Sequence, residues 1–169
     1  MRYPVRTILF LTTTMMACGG GGGGGGNYSS PEALVSSMVK VLSSGSGANC
    51  GSLIVTPSVM DAAVDCPEPA KKEMQKALAQ ESAELISDCQ KGAKQAKKAG
   101  VKAKLVSIKS VREGEGISKG DDFNGCKAKV DITQLKVTAL LKMKMKGQEK
   151  EDTETVDMIK IGDSYYLVD

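Results

Sequence analysis

Five cysteines carry most of the chemistry this chain can offer, and their settings separate one from the other four. Cys18 closes an apolar leader and is followed at once by the glycine run Gly19 to Gly26. Cys50, Cys66, Cys89 and Cys126 are spread through the rest. A thiolate is the best side-chain nucleophile near neutral pH, so a cysteine at a processing junction is a site for acylation. An even set in an exported chain reads instead as disulfides, here two of them, with three possible connectivities. There is no histidine and no tryptophan. That removes imidazole from acid–base catalysis and from zinc ligation, and no Cys-x-x-Cys pair compensates.

Arg2 and Arg6 precede Ile8-Leu9-Phe10-Leu11 and Thr12 to Met16, the layout of an export signal. About ten apolar residues are too few for a bilayer, which takes roughly 20. For cleavage before Cys18 by an ordinary signal peptidase, Ala17 fits but Met15, two residues earlier, is too bulky. Met15-Met16-Ala17-Cys18 instead resembles a bacterial lipobox, with methionine where leucine is usual. Residues 1–17 are therefore expected to be a lipoprotein signal peptide, and Cys18 the acylated residue of the mature protein. Each buried methylene of an acyl chain contributes about 0.8 kcal/mol, and two or more chains anchor stably. By resemblance to the bacterial sorting rule, Gly19 rather than Asp after the cysteine favours the outer membrane. Residues 18–30 read as the lipidated cysteine and a Gly/Ser tether reaching roughly 20 Å. No Gly-Lys-Ser/Thr follows the glycines, so they are not a phosphate loop.

Losing Arg2 and Arg6 with the leader lowers the net charge from +3 to +1, which gives no global attraction to nucleic acid. The lysines from Lys91 to Lys104 lack interleaved aromatics and read as a solvated face.

Residues 31–169 read as one α+β domain. Ser30-Pro31-Glu32 opens a helix with Leu34, Met38, Val41 and Leu42 on one stripe. Pro57 to Ala63 reads as a short second helix. Pro67-Glu68-Pro69 opens the longest, which runs to about Ala99 with Met74, Leu78, Leu85, Cys89, Ala93 and Ala96 on one face. Its acids crowd the first half and its lysines the second, as the helix dipole favours. A strand begins at Val101, with a bulge after Leu105. Gly114-Glu115-Gly116 and Gly120-Asp121-Asp122 frame a turn. Cys126 to Met145 alternates as one long strand with a phase slip near Thr133-Gln134, so it must bend. A strand to Ile161, a tight turn at Gly162-Asp163 and a last strand through Val168 complete three helices on a bent antiparallel meander, with the long helix across its concave face. Asp121-Asp122-Phe123-Asn124-Gly125 reads as a turn, lacking the later ligands of a calcium loop.

The helix start Ser30-Pro31-Glu32-Ala33, the long helix before a bent meander, Gly125-Cys126 at a strand start and the closing Ile159 to Val168 resemble the nuclear-transport-factor-2-like, cystatin-related cone fold of small bacterial lipoproteins. The resemblance covers about Ser30 to Asp169 and implies the pairing Cys66–Cys126 with Cys50–Cys89. Enzymes of that superfamily place Asp, His or Tyr inside the cone. Here Asp131 falls on the lysine side of its strand, Asp157 is ambiguous, and one of Tyr165 and Tyr166 must face inward, so no catalytic residue is carried over. Met74, Met143, Met145 and Met158 are expected inward, as adaptable core or as the lining of an apolar pocket. The expectation is a non-catalytic binding or scaffolding lipoprotein of the cell envelope, without metal or cofactor. It would meet the membrane through Cys18 and have an envelope protein as possible partner. A carrier of a small apolar ligand and a small-molecule enzyme of the cone superfamily are the alternatives.

Replacing Cys18 by Ser is expected to abolish fatty-acid labelling and release the protein from the membrane fraction. Mass spectrometry of the native amino terminus checks this, and an unacylated Cys18 refutes it.

Overall fold

The computed structural model describes residues 26–168, so the expected signal peptide, Cys18 and the glycines before Gly26 lie outside the described residues. In chain order the helices are α1 (Pro31–Ser44), α2 (Cys50–Leu53), α3 (Pro57–Ala63) and α4 (Glu68–Lys98). The strands are β1 (Val64–Asp65), β2 (Lys102–Ile117), β3 (Asp122–Phe123), β4 (Cys126–Ala128), β5 (Ile132–Met145), β6 (Gln148–Ile161) and β7 (Ser164–Leu167). The fold is α+β: a helical region, then an antiparallel sheet ordered β2-β5-β6-β7 and a small one ordered β1-β4-β3.

Ser30 caps α1 by accepting from the Ala33 N–H at 3.1 Å, and Pro31 supplies the preset φ of a first turn. Leu34, Val35, Met38, Val39 and Val41 are buried on its inner face, which lies against β2 and β7. They form one core with Leu135, Val137, Ala139 and Leu141 of β5 and Met158 of β6. The helix over the sheet is therefore α1, whereas α4 packs on α1, α2 and α3. This corrects the expected placement of the long helix. Its apolar side chains Ala70, Met74, Leu78, Leu85, Ile86 and Cys89 pack against the cores but stay half-buried, so α4 lies at their margin and not across the sheet's face.

Two disulfides reinforce that contact. Cys50–Cys89 ties α2 to the second half of α4, and Cys66–Cys126 ties the approach to α4 to β4. Their sequence separations of 39 and 60 correspond to about 4 kcal/mol each in the chain-entropy account.

The expected long strand is two strands in two sheets. Between them the Lys129 N–H donates to the Ala63 carbonyl, and the Asp131 carbonyl accepts from Gly162, each at 2.8 Å. The first bond extends the β1–β4 register by one step and the second extends the β5–β6 register by one step, so the chain changes sheets within Lys129 to Asp131. From Ile132 onward β5 pairs with β6 without a break, as far as Met145 opposite Gln148. The irregularities lie in β2, between Leu105 and Ser107, Ile108 and Ser110, and Glu113 and Gly116. The first of these is the expected bulge, and it turns Val106 outward. Gly114 and Gly116, expected in a turn, belong to β2 at its third irregularity, and the reversal comes at Ser118 to Asp121.

The folded unit begins before Pro31. Tyr28 pairs with Tyr165, whose N–H donates to the Tyr28 carbonyl at 2.9 Å, and the Gly26 N–H donates to the Ser52 carbonyl at 3.0 Å. The last residues of the expected tether thus lie on the fold.

Gly45 ends α1 at φ 66°, and a Cβ there would collide with the Lys97 side chain. Gly100 has a similar φ of 65° with nothing within 4 Å of a Cβ. Gly45→Ala is expected to cost more stability than Gly100→Ala, which bears only the backbone penalty of about 1 kcal/mol. Urea denaturation of the two variants checks the order.

Candidate functional site

A cleft of about 470 Å³ opens between the first half of α4 and the end of the main sheet. That volume lies within the roughly 300–1,000 Å³ of small-ligand sites. Ala70, Met74, Ala77, Leu78 and Leu85 line it from α4, at the three- and four-residue spacing of one helical face. Ile54, Val55 and Met60 line it from the segment leading through α3, Phe123 and Cys126 from the small sheet, and Ile159, Leu167 and Val168 from the last strands and the residue beyond them. The Cys66–Cys126 disulfide therefore sits at its wall.

Four polar residues join that lining: Glu73, Glu81, Ser82 and Asn124. Ser82 is buried, and its hydroxyl donates to the Ala79 carbonyl of its own helix at 3.4 Å. Glu73 and Glu81 are exposed at the rim. Asn124 and Gly125 take φ of 49° and 78°, the two positive values of a tight hairpin turn between β3 and β4, whereas Asp122 and Phe123, expected in the same turn, form β3. Among the described residues, no group of three or more His, Cys, Asp and Glu could hold a metal ion.

The expected pocket methionines divide. Met74 lines the cleft, Met158 is buried in the main core, and Met143 is half-buried. Met145 is 47% exposed, because β5 runs past the edge of the core, so its expected inward position is corrected. Tyr166 is the inward tyrosine, and its hydroxyl donates to Asn27 Oδ1 at 3.4 Å. Tyr165 is half-buried, with the Lys160 ammonium 5.8 Å from its ring centroid. Asp131 Oδ1 accepts from the Lys119 N–H at 2.8 Å. Asp157 is exposed, with Lys136 Nζ at 3.5 Å.

On the sheet's outer face Lys102 lies opposite Lys144, and Lys104 opposite Lys142, across β2 and β5. Like charges so placed repel. β6 answers with Glu149 opposite Lys144 and Glu151 opposite Lys142, and Lys142 Nζ reaches Glu149 at 2.6 Å. That hydrogen bond and its charge hold the Glu149 carboxyl below the usual carboxylate range and the Lys142 ammonium above its own.

Met60, Phe123, Ile54 and Val168 were missed in the sequence as cleft residues, because they converge only in three dimensions. Glu73 and Glu81 did carry a signal: both fall on the helical stripe that also holds Met74, Ala77 and Leu78. No family model, no curated protein and no solved structure matches this chain.

The sign of the pH effect follows from the pair. Its contribution is full near neutrality, fades as pH falls through the lowered Glu149 value, and fades again as pH rises through the raised Lys142 value. NMR titration should place the Glu149 midpoint below that of a free glutamate, and Lys142→Gln should return it upward.

Proposed function

We propose that this chain is a lipid-anchored, non-catalytic binding module of the bacterial cell envelope. Acylated Cys18 holds it at the outer membrane, and the cleft beside α4 is its binding site. The observation that carries the reading is the lining, in which Met60, Met74, Leu78, Leu85 and Phe123 offer an apolar surface and the one buried polar side chain, Ser82, is engaged within its own helix. Methionine thioethers adapt to varied apolar partners. The lipobox-like leader supports the address, and two disulfides suit an oxidising compartment outside the cytosol. The resemblance to cone-fold lipoproteins points the same way.

The same lining favours a second reading, a carrier of a small apolar ligand.

Ala77 is exposed and lines the cleft, whereas Ala83 is exposed on the far side of α4 and does not. Ala77→Trp is expected to weaken binding of the neutral apolar dye Nile red about tenfold, the loss of roughly 1.4 kcal/mol of contact. Ala83→Trp should leave it unchanged. Equal dye affinities in all three proteins refute the cleft as the site.

A further inference from the structure

We infer that the cleft receives a basic amphipathic peptide segment of a partner protein, its apolar side chains inside and its cations on Glu73 and Glu81. The inference rests on the cleft being the binding site and adds the chemistry of what enters it.

The charge lining the cleft is of one sign. Glu73 and Glu81 line it, and no lysine or arginine does among the described residues. In a chain with 23 basic residues that is a selective arrangement. Neither carboxylate has an ion-pair or hydrogen-bond partner among the described residues. Lys71 holds Asp61 at 2.9 Å, and Lys129 Nζ donates to the Asp61 carbonyl at 3.3 Å. Lys72 and Lys76 are exposed, and at about 100° per residue they fall on the side of α4 away from Met74, Ala77 and Glu81. Lys76 stands one turn from Glu73 but forms no ion pair with it.

This arrangement separates the possible ligands. A fatty-acid anion would bring a third carboxylate to an acidic rim, which Coulomb repulsion disfavours. A neutral apolar molecule fills the cleft but leaves both charges unused. A peptide with an apolar face and flanking lysines or arginines uses both, in the manner of a helix or strand laid into a groove. Glu73 and Glu81 are two helical turns apart, about 12 Å at 1.5 Å per residue. Partner cations matching that span stand eight residues apart on a helix, or about four apart on a strand rising roughly 3.3 Å per residue. Rim charges of this kind set orientation and encounter rate, and their effect fades with salt.

The test uses the mature chain carrying Cys18→Ser, which leaves every described residue intact. Its probes are Nile red, palmitate, and two peptides with the same leucine face, one flanked by lysines and the other by glutamates. Fluorescence anisotropy is expected to show the lysine peptide binding about tenfold tighter than the glutamate peptide at low salt. The gap should close at high salt and vanish in E73Q/E81Q. Equal affinity of the two peptides alongside Nile red binding overturns the charge assignment and leaves the cleft standing. Palmitate binding more tightly than the lysine peptide overturns it as well. Failure of the dye and both peptides to bind overturns both readings.

Discussion

The helix α4 packs at the margin of both cores and is tied down by both disulfides, and the rest of the molecule is arranged around that fact. Thirty-one residues long, it fully buries three small side chains and half-buries Met74, Leu78, Leu85, Ile86 and Cys89, whereas α1, at 14 residues, fully buries five apolar ones. Burial of apolar area supplies most of the attraction between elements, and α4 offers less of it per residue than α1 does. Cys50–Cys89 and Cys66–Cys126 add to that contact. They fix α4 in its second half and at its approach, and along the stretch between the two bridges Ala70, Met74, Ala77 and Leu78 line an open cleft. The cleft is the space left there.

The same helix sorts charge along its length. Acids at the start and lysines at the end complement its dipole, and that ordering is also what leaves glutamates at the cleft. The lysines of β2 and β5 belong to a different surface, answered by the carboxylates of β6. β2 is an edge strand, which invites pairing with other chains unless it is guarded. Its three irregularities break the ladder, Lys102, Lys104, Lys109 and Arg112 charge it, and the Ser43 hydroxyl bonds both the N–H and the carbonyl of Ala103, at 3.0 and 3.2 Å. That edge is built to stay unpaired.

Local signals were legible in the sequence. Ser30-Pro31-Glu32 marked the start of α1, the phase change after Leu105 marked a bulge, and Gly162 marked the last hairpin, because each depends on residues within a turn of one another. What misled was fixed at long range. Alternation runs unbroken through Lys129 to Asp131, and only the change of partner there, from Ala63 to Gly162, divides that strand between two sheets. Gly114 and Gly116 have the composition of a turn but lie in a ladder opposite β5. Tyr28 follows a glycine run yet docks on Tyr165, a contact that composition cannot signal. The cleft was least legible, since Ile54, Phe123 and Val168 are distant in sequence from the α4 stripe they face.

The central claim is that α4 depends on the two disulfides more than on its marginal packing. Amide hydrogen exchange on the oxidised and the reduced protein measures this directly, since protection reports the local free energy of opening. On reduction, the amides of α4 should lose protection well before those of β5 and β6. Protection of α4 that survives reduction, or that disappears only together with the sheet, would contradict the account.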